Sequence, residues 1–300
     1  VLRRVPTTHA GEVIMPAFRI GTGVIATAIA ALSISSGAFA TNSFDCGSGQ
    51  GEGRKLLRVV ALTDTGTLLC FNELAPKLAR TIGYVNGLVD DTSLVGIDFR
   101  VQDGLLYGVG NAGGVYTIDT SNGYATLVNR LSVPLAGASF GVDFNPAADR
   151  LRIVSDTGQN LRHNVNAGGV TIVDGALNYT AGVTATGIAA AAYTNNDLDA
   201  TTATTLFDLD ASLDQIALQS PPNNGSLAPT GKLNVDAGAA AGFDIYSTLR
   251  GGITKSNQAF AALNVSGYAA LYKVTLTTGD TTLVGRLKQG VVDIAVPLNQ

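Results

Sequence analysis

Tryptophan is missing from the 300 residues, methionine occurs once, cysteine twice and histidine twice, and only 14% of the chain is charged. Each shortage closes off a class of function. Two histidines, His9 and His163, cannot assemble a multi-histidine transition-metal site, and a Ser-His-Asp triad would have to rest on one of them. There is no glycine-rich phosphate loop ending in lysine. The 19 basic residues are scattered and the formal charge is −4, so no basic stripe is available to neutralise a phosphate backbone, which excludes nucleic acid as a partner. The uninterrupted apolar run, residues 24–34, is shorter than the roughly 20 residues that a membrane span needs. Without tryptophan, the usual sugar-stacking platform is gone as well.

What the N-terminus does contain is an export pattern. From Met15 the sequence MPAFRIGTGVIATAIAALSISSGAFA carries one basic residue, Arg19, then an apolar core, then Ala38-Phe39-Ala40 as an A-x-A cleavage site. Residues 15–40 therefore read as a cleaved signal peptide, and residues 1–14, upstream of the only methionine, as an over-extension of the reading frame. The expected mature chain starts at Thr41, with no stable membrane insertion after cleavage. Cleavage moves the net charge from −4 to −6 and leaves His163 as the single histidine. Export places the chain in the periplasm or outside the cell, where thiols oxidise, so Cys46 and Cys70 are expected to form a disulfide. Closing that loop would contribute about 3 kcal/mol in the chain-entropy view; the alternative is two inert thiols.

Beyond a polar, glycine-rich lead-in (residues 41–54), valine, isoleucine, threonine, leucine and alanine alternate with turn residues, a pattern of many short strands. Residues 95–128, VGIDFRVQDGLLYGVGNAGGVYTIDTSNGYATLV, spell out four of them: a strand with Gly-x-Asp-Phe, then Leu-Tyr-Gly-Val, Val-Tyr-Thr-Ile-Asp and Ala-Thr-Leu-Val, with turns between. The rest of the chain repeats this unit. The first strand recurs as Gly96-Ile97-Asp98-Phe99, Gly141-Val142-Asp143-Phe144, a degenerate Gly187-Ile188-Ala189-Ala190, Gly242-Phe243-Asp244-Ile245 and Val291-Val292-Asp293-Ile294, at spacings of 45, 46, 55 and 49. Self-similarity at 40–50 residues with four strands per unit is the signature of a β-propeller.

Both ends of the domain agree with that reading. Residues 56–85 supply three strands with no first strand before them, and residues 291–298 supply a first strand with nothing after it. Together they complete one blade, which closes the ring and protects its edges. The expectation is an all-β, five-bladed propeller of four-stranded antiparallel blades over residues 55–300. A six- or seven-bladed ring, a β-solenoid and a β-sandwich are the alternatives, and a sandwich does not account for the split blade.

The segment GVDFNPAADRLRIVSDTGQNLRHNVNAGG (residues 141–169), followed by VDGALNY and preceded by LYGVGNAGGVYTIDTSNGYATLV, resembles the secreted bacterial family described as domain of unknown function 4394. The resemblance extends over residues 56–298, and Asn145-Pro-x-x-Asp-Arg-Leu-Arg152 is its most specific motif. It implies a secreted, propeller-like module. It implies no activity and supplies no catalytic residues.

Two constellations are chemically suggestive. Asp98, Asp143, Asp244 and Asp293 recur at the first-strand position, with Ala189 as the gap, and first strands of blades line the central channel. Facing the axis, their repulsion would be relieved by a hard cation, for which oxygen-only ligands suit Ca²⁺. Facing a neighbouring blade, they would serve as acceptors for backbone N–H groups or an arginine. The second set lies in the third blade: Arg150, Arg152, Arg162, Asn160 and His163, with Asp149, Asp156 and Asn164 among them. It would make either a bidentate anion site or a self-satisfied network between blades. For the Asp and Glu pair that a glycosidase generally uses, Glu73 is the one plausible acid within the blades.

The reading is thus an exported, monomeric, non-catalytic binding or scaffold module whose partner is a protein or glycan of the cell envelope. Two other readings remain beside it: a cation-dependent hydrolase or lyase with a carboxylate-lined channel, and a self-assembling surface protein.

Overall fold

Short runs of apolar and β-branched residues, punctuated by turn residues, pair into five four-stranded antiparallel sheets in the computed structural model. It describes residues 56–300 and, ahead of them, Val1 alone. The expected leader, its cleavage site and Cys46 lie outside the described residues. The described strands all fall in one unit, Phe39–Gln300.

The first blade takes β1 (Arg58–Thr63), β2 (Thr67–Asn72) and β3 (Arg80–Tyr84). The second holds β4 (Leu94–Phe99), β5 (Leu106–Gly110), β6 (Gly114–Ile118) and β7 (Ala125–Arg130). The third holds β8 (Phe140–Asn145), β9 (Arg150–Ser155), β10 (Asn160–His163) and β11 (Thr171–Val173). A small hairpin, β12 (Asn178–Thr180) with β13 (Val183–Thr184), occupies the connection to the fourth blade. That blade consists of β14 (Ile188–Tyr193), β15 (Leu206–Asp210), β16 (Gln215–Gln219) and β17 (Leu227–Lys232). The fifth has β18 (Ala241–Arg250), β19 (Ile253–Val265), β20 (Tyr268–Val274) and β21 (Thr281–Arg286). Finally β22 (Val291–Ala295) crosses back and pairs antiparallel with β1, Val60 opposite Ala295 and Leu62 opposite Asp293.

The split blade expected from the two ends is therefore formed, and the ring closes. The innermost strands β4, β8, β14, β18 and β22 touch in succession, with β22 returning to β4. Gln300 adds a clasp: its side chain accepts from the Arg58 N–H at 2.7 Å and donates to the Arg58 carbonyl at 3.0 Å.

Strand alternation explains where the core sits. On β1, Val59 and Ala61 go into the seam shared with the fifth blade, whereas Val60 and Leu62 go into the seam shared with the second. Each blade thus has two apolar faces, and five hydrophobic clusters fill the five seams between blades. The glycine of the Gly-x-Asp motif serves the same packing. A methyl group on Gly141 would overlap the backbone of Ala190 and Ala191 in the next blade, and one on Gly242 would overlap Asp293 and Ile294.

Among the described residues there is no α-helix, only the 3₁₀ turns Pro76–Leu78 and Pro222–Asn224, and no helix long and apolar enough to cross a membrane. One element departs from the expected strand lengths. β18 and β19 continue as a ladder from Tyr246 opposite Gln258 to Arg250 opposite Ile253, well past the blade. Its residues are polar and its turn is Gly251-Gly252, a composition that reads as loop. What holds it is tertiary: Asp197 accepts from Thr254 N–H at 2.9 Å and Asn196 donates to the Ile245 carbonyl at 2.9 Å.

Candidate functional site

The channel carboxylates are the most concentrated titratable groups of the ring. Pairing register separates them into two kinds. Asp98 lies opposite Tyr107, Asp143 opposite Arg152 and Asp244 opposite Phe260, equivalent places on their second strands. In the first blade Asp244 binds the N–H of Val296 as Asp98 binds that of Phe144, so the residue at that level is Ala295, paired with Val60, with Asp293 two residues earlier. In the fourth blade Asp143 binds the N–H of Tyr193, so the counterpart is Ala192, opposite Phe207, rather than Ala189. The ring therefore has three aspartates and two alanines at one level, with Asp293 at another.

The three share a hydrogen-bonding rule. Asp98 accepts from the Phe144 N–H at 2.7 Å, Asp143 from Tyr193 N–H at 3.1 Å and Asp244 from Val296 N–H at 2.5 Å, each on the next blade round the ring. The other oxygens of Asp98 and Asp244 accept from the N–H of the following residue, Phe99 at 2.6 Å and Ile245 at 2.5 Å. Asp293 accepts from Ile97 N–H at 2.9 Å and from Ile294 N–H at 2.9 Å. All four are buried.

One oxygen each of Asp98, Asp143 and Asp244 lies within 4.8 Å of the others. Burial, reinforced by the Asp244 charge, pushes the Asp98 carboxyl well above the usual carboxylate range, and burial with Asp98 does the same to Asp143. Burial raises Asp244 to about 7, and burial together with the Asp244 charge drives Asp293 well up. Carboxylates this close and this dry cannot all be ionised; they share protons or a cation. An all-oxygen donor set suits Ca²⁺, although both oxygens of Asp98 and Asp244 already serve backbone donors.

The third-blade set is divided by the fold. Arg152, with 1% exposure, meets Arg162 at a shared Asp174, at 2.6 Å from each. Asn160 accepts from Arg152 at 2.7 Å and donates to the Gly175 and Pro222 carbonyls. His163 faces the second blade instead, with Nε2 at 2.9 Å from Asn129 and Nδ1 at 3.0 Å from Thr171. Burial lowers it to about 4, so the imidazole is neutral at physiological pH. Arg150 stays at the turn and donates to the Ala148 and Asp149 carbonyls. Asp156 accepts from Ala138 N–H, and Asn164 from Asn166. Cys70 lies buried in β2, and its expected partner is Cys46.

Sequence reasoning passed over Arg100, whose guanidinium grips Asp149 of the next blade in a two-pronged pair at 2.7 and 2.6 Å and reaches Asp103 at 2.7 Å. It also passed over Asp208 and Asp197, both buried. The signal for Asp208 was present: a charged residue in phase with Leu206 and set between Phe207 and Leu209.

At the end of the channel where the innermost strands begin, a cavity of about 260 Å³ opens on the ring axis. All five blades contribute walls, with Thr63, Asp64, Ser93 and Ser139 as polar lining and Phe140 and Ala241 among the apolar residues. No lysine or arginine lines it.

Solved structures similar to this chain include an auxiliary nutrient binding protein from Bacteroides ovatus, at 12% identity and a TM-score of 0.39, covering 69% of this chain and 56% of that one. A protein of unknown function from Bacteroides thetaiotaomicron is 14% identical with a TM-score of 0.44, covering 82% and 68% of the two chains. TolB from Acinetobacter baumannii is 10% identical with a TM-score of 0.40, covering 81% and 67%. The chain thus spans little more than half the length of the first of these. No curated protein matches it. Residues 67–295 match the family described as Domain of unknown function (DUF4394), in agreement with the motif at Asn145–Arg152. With well over half of its length matched, this propeller belongs to the DUF4394 family.

Proposed function

We propose that this chain is an exported, non-catalytic binding module of the cell envelope, and that its glycan or protein partner engages the face on which the channel mouth opens. The observation that carries the reading is the cavity of about 260 Å³ on the ring axis, walled by all five blades. A rigid ring that converges on one concave site is suited to recognition, with specificity residing in the rim. The rim is hydroxyl-rich with a single carboxylate, Asp64, which favours neutral or cationic groups over anionic ones. The neutral, enclosed His163 and the backbone-bound carboxylates support a binding role over acid-base turnover. The sequence of residues 15–40 supports export, and the oxidising compartment that follows from it supports a Cys46–Cys70 bridge.

The test is an envelope-glycan array and an envelope-protein pull-down with the mature chain, beside a Ser93→Trp variant that narrows the mouth at an exposed position. Loss of the partner in the variant is expected. A partner retained undiminished, or no partner for the wild type, overturns the reading.

A second reading, a hydrolase or lyase using a channel cation, is favoured by the approach of Asp98, Asp143 and Asp244 within 4.8 Å. It predicts a rise in melting temperature in millimolar CaCl₂ over EDTA that Asp143→Ala abolishes, since a ligand of the folded state stabilises by RT ln(1 + [L]/Kd).

A further inference from the structure

The seam between the third and fourth blades contains a carboxylate that its protein neighbours leave unanswered. On β15, Phe207 and Leu209 enter the core shared with the fifth blade, and Leu206 enters the core shared with the third. Asp208 is in phase with Leu206 and is 0% exposed. Neither of its carboxylate oxygens accepts a hydrogen bond. Its cross-strand neighbours are Ala191 on β14 and Ala217 on β16, so small side chains flank it on both sides. On the same face, Gln219 donates to the Pro222 carbonyl at 2.6 Å while its Oε1 accepts nothing.

Across the seam stands Arg152. A guanidinium has five N–H groups. Nε goes to Tyr193 Oη at 3.2 Å, Nη1 to Asn160 and Asp174 at 2.7 and 2.6 Å, and Nη2 to Asn223 at 2.9 Å. These four bonds leave one N–H on Nη2. Arg152 is close enough for its charge to oppose the effect of burial on Asp208, yet the two make no direct ion pair. Arg152 and Arg162 moreover share one counter-ion, Asp174.

We propose that an enclosed water molecule joins Arg152 Nη2 to the Asp208 carboxylate, with Gln219 Oε1 as its further acceptor. Water is the ligand that matches this donor and acceptor inventory: it accepts the spare N–H and donates to the orphaned oxygens. A cation would satisfy the oxygens but would sit beside a guanidinium and leave its N–H unmet. The water-linked pair ties the seam to the channel, because Tyr193 accepts from Arg152 through its hydroxyl and donates its backbone N–H to Asp143.

A high-resolution crystal structure of the mature chain is expected to show one density peak about 2.6–3.2 Å from both Arg152 Nη2 and an Asp208 oxygen. A direct Arg152–Asp208 contact, an empty seam, or a peak with six or more oxygens at about 2.3–2.6 Å would each overturn the proposal. In solution, oxygen-17 relaxation dispersion counts long-lived internal waters. Asp208→Asn, which keeps the shape and an acceptor, is expected to leave that count unchanged, and Ala217→Leu to lower it. Ala191→Val fills the same space from the other side if Ala217→Leu does not fold. An unchanged count in a folded space-filling variant refutes the water.

Discussion

Asp98 in the second blade accepts the backbone N–H of Phe144 in the third at 2.7 Å, and both groups are buried. The same bond runs from Asp143 to Tyr193 and from Asp244 to Val296, so one carboxylate per junction staples neighbouring innermost strands at three of the five places round the ring. At the other two the position is Ala192 or Ala295, and Asp293 staples its junction from a different level through Ile97. The carboxylates thus stitch blades together whether or not they also share a cation.

Their protonation makes stability depend on pH. A carboxyl whose folded value is raised stabilises the fold fully below its unfolded pKa, and that stability is lost as pH rises towards the folded value. For Asp244, raised by burial to about 7, the window runs from the unfolded value of 3.8 up to 7. Over it the unfolding free energy is expected to fall by on the order of 4 kcal/mol from this group. Urea titrations between pH 4 and 8 should show the fall in the wild type and a shallower one in Asp244→Asn; parallel profiles would contradict the assignment.

His163 acts in the opposite direction. Burial depresses it to about 4 in the fold, so its contribution is present above the unfolded pKa of 6.5 and is lost as pH drops towards 4. Its ring resonances are expected to keep the neutral shift down to about pH 5. Titration near 6.5 would mean that the Asn129 and Thr171 contacts do not enclose it.

The third-blade arginines should differ sharply in consequence. Arg152→Met strips buried Asp174 of one of its two cations and is expected to cost about 3–5 kcal/mol, as for other broken buried pairs. Arg150→Met, at the turn, should stay within about 0.5 kcal/mol. Equal denaturation midpoints for the two variants would refute this division.

Ring closure rests on β22. Deleting residues 290–300 exposes the inner edge of β1 and removes the Gln300 clasp, so the truncated chain is expected to lose its single cooperative melt and to self-associate. Calorimetry with light scattering decides this; a monomer that still melts in one transition would show that the other four blades suffice.

Much of this architecture was legible in the chain because its causes are local. The recurrence of Gly-x-Asp from Gly96 to Gly242 marks the innermost strands, since a methyl group at Gly141 or Gly242 would overlap the backbone of the neighbouring inner strand. The missing first strand before Leu56 and the orphan at Val291–Ala295 announced the closure, because a blade needs four strands. Arg152, Arg162 and Asn160 meet in space, whereas Arg150 and His163, near them in sequence, point elsewhere, because strand alternation and turn geometry do not follow sequence proximity.

Residue order, acting through strand alternation and turn chemistry, specified the blades, their number and the ring. The tertiary structure alone decided which aspartates are equivalent, because the levels of Asp293 and Ala192 depend on how neighbouring strands pair. It alone decided also that Asp208 is buried opposite Arg152 with both oxygens unmet, since a seam between blades is made by residues far apart in the chain. Local periodicity dictates where a side chain points; only the closed ring dictates what it meets.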